Sequence, residues 1–134
     1  MNSHDIKAFI EQASIPNSPS AKRVSDLIST ALESGTPWIS GIWRISDPSD
    51  QEYASDIPLN GGSLLVVIDD EIEDGAGVEY TLDKDAVLAG LNKFLLSDNA
   101  AIQQHAKDFL DENDDVITAD TFMEIALFGE VIFC

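Results

Sequence analysis

Residues 111–134, DENDDVITADTFMEIALFGEVIFC, decide the fold of this chain. Within them, an acidic turn leads into a segment that is apolar around most of its circumference, and such a helix is normally buried by other elements on several sides. Thr118 is predicted to cap this helix, which extends over about residues 119–128, and Gly129 suits the left-handed conformation that ends a helix. We expect the helix to form the centre of the core rather than the wall of a ligand pocket. Residues 131–133 are expected to form a short edge strand or to enter that core.

The composition of the whole chain indicates a globular protein. With 134 residues, of which 44% are hydrophobic, the chain is expected to form a single globular domain, with an N-terminal helix and linker at residues 1–17. The N-terminal residues have no basic flank and no long apolar run, which is not typical of a signal peptide, and no run approaches the ~20 residues of a membrane helix. A single cysteine, Cys134, agrees with a reducing cytoplasm.

Two helices are predicted before the first strand. Ser3 and Ser18 are suited to cap them, and Pro19 occupies the first helical position of the second helix. Apolar residues recur in both at the three–four spacing of a one-sided helix, and Gly35 is expected to end the second. These apolar positions are Ile6, Phe9 and Ile10 in the first helix, and Val24, Leu27, Ile28, Ala31 and Leu32 in the second.

The middle of the chain predicts three β-strands. Residues 38–45 are aromatic and β-branched, with a bend expected at Gly41. Residues 63–68 are apolar on both faces, which favours a central strand. Residues 78–82 alternate and are expected to pair with that strand as a hairpin across the acidic connection at residues 69–77.

The first of these predicted strands contains two tryptophans, Trp38 and Trp43. We expect them to fill the core and to leave their indole N–H groups at its rim, the alternative being a binding groove. The polar residues 46–60 predict a loop, and the glycines at 61 and 62 predict a turn.

Two further helices follow, with Asp83 capping one and Asn99 starting the other. The order of elements predicts an α+β fold, in which a small, mostly antiparallel sheet of about three strands packs against four to five helices.

No metal, cofactor or catalytic site is predicted from motifs. Asp111, Asn113 and Asp115 match the first three ligand positions of a calcium loop, but the required glycine is a valine and the closing glutamate is a phenylalanine. His4 and His105 belong to no zinc spacing, and neither a phosphate-binding loop nor a nucleophile elbow is present. We therefore expect a protein that is not an enzyme and that has no cofactor.

The charge is the most informative feature of the composition. Twenty-five acids against seven bases give a net charge of −18, and all of it falls within residues 47–85 and 98–124. An excess of this size disfavours direct binding of nucleic acid or an anionic membrane and favours cationic partners. Fixed carboxylates can imitate the phosphates of a nucleic acid in a basic groove. The alternative is a solvated surface that serves solubility.

Two groups of acids are predicted to contact such a partner. The first acidic cluster comprises Asp69, Asp70, Glu71, Glu73 and Asp74. The second acidic cluster comprises Asp111, Glu112, Asp114 and Asp115.

Three groups of residues carry a resemblance over about residues 24–134. They are Ala31-Leu32-Glu33-x-Gly35 with Trp38, Pro58-Leu59-Asn60-x-Gly62, and Glu112-Asn113-Asp114-Asp115 with Ala126-Leu127-Phe128-Gly129-Glu130-Val131. In these the chain resembles a family of small acidic proteins that are encoded in bacteriophages and proteobacterial prophages and that carry no assigned activity. The resemblance implies a phage genomic context, in which small acidic proteins often block host defence machinery, including CRISPR effectors. It implies no catalytic residues.

Together, charge and resemblance lead to the hypothesis of a non-enzymatic, phage-derived inhibitor in the cytoplasm of a bacterial host. Its partner is expected to be a basic, nucleic-acid-handling host complex of the kind that anti-CRISPR proteins and DNA mimics bind. One alternative is a phage structural or assembly protein, or a homo-oligomeric interaction protein, whose contacts are made by the tryptophans and the apolar tail. A further alternative is a small metal-dependent enzyme that uses the acids.

Overall fold

The computed structural model describes residues 3–68 and 77–132. Within them, five α-helices accompany one three-stranded antiparallel sheet, which confirms the predicted α+β fold. In chain order the elements are α1 (Ser3–Ala13), α2 (Pro19–Thr30), β1 (Ile39–Ser46), β2 (Ser63–Ile68), β3 (Val78–Asp83), α3 (Lys84–Leu95), α4 (Ala100–Leu110) and α5 (Val116–Phe128).

Three of the predicted helix starts are confirmed by their side-chain hydrogen bonds. The Ser18 hydroxyl accepts from the amide of Ala21 at 3.0 Å, and α2 begins at the following proline. Asp83 accepts from the amide of Ala86 at 2.9 Å at the start of α3. Asn99 accepts from two amides at the start of α4. Each side chain satisfies an amide that the helix itself leaves without a partner.

The end of α2 and the loop after β1 hold more regular structure than predicted. After Thr30 the chain continues through a π-helical turn, Ala31–Gly35, so the predicted end at Gly35 is confirmed. The segment predicted as a loop contains two short 3-10 helices, Ala54–Asp56 and Pro58–Asn60. Gly61 follows with φ of 90°, as its predicted turn requires.

The prediction for the start of α5 was wrong by one turn. The helix begins at Val116, and its cap is Asp115, whose carboxylate accepts from the Thr118 amide at 2.9 Å and from the Thr118 hydroxyl at 3.1 Å. Aspartate is as good a capping residue as threonine, and Asp115, three residues before Thr118, starts the helix one turn earlier. Gly129 ends the helix with φ of 79°, as predicted.

The sheet has the order β1-β2-β3, so β2 is the central strand, as predicted. Both pairings are antiparallel, and Leu65 of β2 lies between Trp43 of β1 and Thr81 of β3. The register of β1 shifts between Ile39 and Gly41, which is where the bend was expected.

One face of the sheet packs against the helices. There Leu64 and Val66 of β2 are fully buried. Helix α5 lies in this core as predicted, with Phe122 fully buried and its ring 5.7 Å from that of Phe94. Helices α3 and α5 approach so closely that a Cβ at Gly90 would lie 2.6 Å from the Cα of Ala126.

The described elements leave the opposite face of the sheet open, which the apolar pattern of β2 did not predict. Leu65 and Val67 are half-buried there, and Trp43 is 56% exposed. The prediction that both tryptophans fill the core was therefore wrong for Trp43. It is confirmed for Trp38, which is half-buried and donates its indole N–H to Asp120 at 2.9 Å.

The residues after α5 form no strand within the described part of the chain. Val131 and Ile132 are exposed, which corrects the prediction of an edge strand or a core segment, and Phe133 lies outside the described residues. The amide of Ile132 instead donates to the buried carboxylate of Glu124 at 3.0 Å.

Candidate partner-binding surface

The first acidic cluster, Asp69 to Asp74, lies outside the described residues. The described chain ends on one side at Ile68 and resumes on the other at Gly77. Ile68 pairs with Val78, so the five acids of this cluster connect the two strands of the β2–β3 hairpin.

The second acidic cluster forms the turn between α4 and α5. Arg23 of α2 reaches into this turn, with nitrogen–oxygen distances of 3.7 Å to both Glu112 and Asp114. Asp115 caps α5, whereas Asp111 is exposed and follows the last residue of α4. Three of the four predicted contact residues therefore take part in the fold itself.

Arg23 is a structural residue that the sequence did not single out. Its guanidinium donates to the carbonyl oxygen of Phe109 and lies 4.7 Å from the centre of the Phe109 ring. A cation over an aromatic face is attracted by the electrons of the ring. Arg23 thus ties α2 to the end of α4 and offsets part of the charge of the second acidic cluster.

Hydrogen bonds to its carboxylate hold the pKa of Asp115 below its ordinary value of 3.8. The largest contribution is the bond from the Thr118 amide, and partial burial opposes it by raising the pKa. The Thr118 hydroxyl, the Ile117 amide and the charge of His105 lower it further. The His105 ring is half-buried, and its Nδ1 lies 3.2 Å from the Thr118 hydroxyl oxygen. The Asp115 carboxylate therefore stabilises the start of α5 in its charged form.

Three acids of the described residues form ion pairs with the chain's own arginines. They are Asp47, Glu112 and Asp114. The partner of Asp47 is Arg44, at 3.3 Å, and Arg44 also donates to two backbone carbonyls of the following loop. The chain has eighteen more acids than bases, and an excess of this size attracts external cations.

The open face of the sheet joins an apolar stripe to an acidic edge. The stripe consists of Trp43, Leu65 and Val67 on β1 and β2, and the edge consists of Glu79 and Asp83 on β3. We did not predict this surface, because a strand with apolar residues on both faces, such as β2, is equally typical of a strand that is covered on both sides.

Neither a metal centre nor a membrane helix is found in the described part of the chain. His, Cys, Asp and Glu side chains form no group of three or more there that could hold a metal ion. No helix within residues 3–68 and 77–132 is long and apolar enough to cross a bilayer.

An open groove of about 700 Å³ lies between the end of α3, the start of α4 and the residues after α5. Lys93, Ser97 and Asn99 are among its lining residues. Among the described residues, Lys93 is the one lysine or arginine that lines the groove, and no residue of the second acidic cluster lines it.

No protein-family model, no curated protein and no solved structure matches this chain.

Proposed function

We propose that this protein is a non-enzymatic inhibitor, of phage or prophage origin, that binds a basic, nucleic-acid-handling complex of a bacterial host. The observation that carries the proposal is a net charge of −18, because twenty-five acids face only seven lysines and arginines in the chain. A target of this kind is a host defence complex such as a CRISPR effector.

The physical basis is that a basic groove built for phosphates attracts fixed carboxylates by the same charge. Arginine and lysine bind carboxylate and phosphate oxygens with similar charge-assisted hydrogen bonds. The excess also steers the encounter with a cationic surface, and salt screens that attraction over about 8 Å at physiological ionic strength. The same charge repels nucleic acid and anionic lipid.

The two acidic clusters are the proposed contact residues, and they differ in how the fold uses them. In the second acidic cluster, Arg23 offsets Glu112 and Asp114, and Asp115 is a helix cap. The first acidic cluster has five acids and no base between residues 69 and 74. We therefore assign the larger share of binding to the first acidic cluster.

The test is an affinity pull-down from nuclease-treated host lysate at low and high salt, with the recovered proteins identified by mass spectrometry. The proposal predicts recovery of a basic, nucleic-acid-binding complex at low salt and its loss at high salt, because salt screens the carboxylates. Recovery of the bait alone, or of a complex that high salt does not release, would contradict it.

Neutral variants of the first acidic cluster locate the contact. Replacing its five acids by the corresponding amides, as D69N, D70N, E71Q, E73Q and D74N, is expected to abolish recovery. The control neutralises five exposed acids elsewhere and so changes the net charge equally; these are Glu11, Asp26, Glu33, Asp98 and Glu130. Equal loss in both variants would show that the overall charge, not this cluster, determines binding.

The exposed stripe on the sheet favours a second candidate function, assembly of the chain into homo-oligomers. Trp43 is 56% exposed and adjoins the half-buried Leu65, and aromatic side chains are enriched in subunit interfaces. Light scattering over a range of concentrations tests this. An oligomer that Trp43→Ala dissociates would support assembly, whereas a monomer at every concentration would contradict it.

A further inference from the structure

We infer that the open face of the sheet is a docking surface for an arginine side chain on an extended segment of a basic polypeptide. The inference rests on the proposed function, because it takes from it that the partner is cationic. It adds a contact surface beside the two acidic clusters and names the residue type that this surface recognises.

The apolar part of the surface is a flat platform. The Trp43 ring lies over Gly41 so closely that a Cβ at Gly41 would meet it at 2.3 Å. One side of the indole therefore rests on the strand, while the side chain remains 56% exposed. Leu65 and Val67, which pair with Trp43 and Gly41, continue the platform across the central strand.

The acidic part lies on the neighbouring strand. Glu79 pairs with Val67 and Asp83 pairs with Ser63, so both carboxylates belong to the same face as the platform. Glu79 is exposed and lies outside ion-pair distance of every described cation, and Asp83 accepts a hydrogen bond at the start of α3. The residues of β1, β2 and β3 that share this face include no lysine or arginine.

This combination complements arginine in both charge and shape. A guanidinium can stack on the exposed side of an indole, while its aliphatic stem covers apolar surface. Neighbouring strands are roughly 4.8 Å apart, so β1 and β3 are separated by about 10 Å. An arginine stacked at Trp43, or its neighbour along the same segment, therefore comes within reach of Glu79.

A second copy of this chain, which homo-oligomer assembly would place on the same stripe, is a poorer complement than a cationic partner. Pairing two open faces would bring Glu79 and Asp83 of each copy together, between molecules that each carry −18. Like charges at this density repel and oppose association. Lysine fits less well than arginine, because its ammonium is compact and strongly hydrated and does not stack.

The experiment measures binding of fluorescently labelled nona-arginine and nona-lysine by anisotropy at fixed salt. We expect Trp43→Ala to weaken nona-arginine binding about two- to five-fold and nona-lysine binding less. Glu79→Gln is expected to weaken both peptides. In a Trp38→Phe background, nona-arginine should change the emission of Trp43, which is then the only tryptophan.

The matched control is Tyr53→Ala. Tyr53 is another exposed aromatic residue, and it follows the loop whose carbonyls bind Arg44. Arg44 and Trp43 are consecutive in β1 and so point to opposite faces of the sheet. Tyr53→Ala is expected to leave nona-arginine binding unchanged, and circular dichroism verifies that each variant is folded.

Three outcomes would overturn the inference. The first is equal nona-arginine binding by Trp43→Ala and the unchanged protein, and the second is an equal loss on Tyr53→Ala. The third is a dimer that Trp43→Ala dissociates, since the occupant would then be a second copy.

The proposed function can fail separately from this inference. If the pull-down recovers a basic complex equally well with Trp43→Ala, the proposed function stands and the docking surface is wrong. If nona-arginine binding depends on Trp43 but the lysate yields no basic complex, the surface stands and the proposed function is wrong.

Discussion

The two faces of the central strand differ although their residues are equally apolar. Leu64 and Val66 point into the core and are fully buried, whereas Leu65 and Val67, which alternate with them, are half-buried on the open face. The helices supply enough apolar surface to cover one side of a three-stranded sheet. The apolar residues on the other side are therefore not explained by the fold of the described chain, and this leads to the proposal that a partner covers them.

The largest expected effect is a difference between neighbouring leucines of β2. Leu64→Ala should destabilise the protein by about 2–5 kcal/mol, because it leaves a cavity in a packed core. Leu65→Ala should cost roughly 1 kcal/mol or less, because its side chain is already partly in water. Urea unfolding of both variants measures the difference. Equal losses of stability would show that the open face is packed in solution and would contradict the difference between the two faces.

Two glycines, Gly90 in the core and Gly41 on the open face, are expected to differ in the same way. A methyl group at Gly90 would meet the backbone of Ala126 at 2.6 Å, so Gly90→Ala must push α3 and α5 apart, at a cost of about 1–3 kcal/mol. At Gly41 the obstacle is the ring of Trp43, which can swing away, so Gly41→Ala should cost less than about 1 kcal/mol. Thermal unfolding gives the costs, and a changed Trp43 emission in Gly41→Ala is the expected sign that the ring has moved.

A smaller effect on stability distinguishes Asp115, which caps α5, from the exposed Asp111 of the same cluster. Asp115→Ala should cost about 1 kcal/mol at neutral pH because it removes the cap of α5, whereas Asp111→Ala should change stability by less than about 0.5 kcal/mol. Unfolding curves for the two single variants test this. Equal stabilities would contradict the capping role.

The pH dependence of that difference follows from the lowered pKa of Asp115. A carboxyl whose pKa is lower in the folded state stabilises the fold fully above its unfolded value, here 3.8. That contribution is lost as the pH falls through the folded pKa. The stability difference between the unchanged protein and Asp115→Ala should therefore shrink as the pH falls below 3.8. A difference that persists undiminished at lower pH would contradict the assigned bonds.

Local signals in the sequence were sufficient for much of the fold. Ser18, Asp83 and Asn99 were identified as helix caps because capping depends on residues within one turn. The same signal indicated Thr118 for α5, because Thr118 directly precedes the apolar run. The cap is Asp115, one turn earlier.

The remaining errors concern contacts between distant residues. Trp43 is a large aromatic residue of the kind that usually fills a core. Its exposure depends on how many helices are present to cover the sheet, and no local pattern encodes that number. Arg23 and Phe109 are 86 positions apart, so no spacing rule links them. The sequence identified the second acidic cluster by its charge. It did not predict that Arg23 pairs with Glu112 and Asp114 or that Asp115 caps α5.

The decisive measurement is acrylamide quenching of Trp43 in the Trp38→Phe variant, alone and bound to nona-arginine, which has no tryptophan of its own. We expect Trp43 to be readily quenched in the isolated protein, because it is 56% exposed, and to be protected in the complex. Equal quenching in both states would contradict the claim that a cationic partner covers the open face of the sheet.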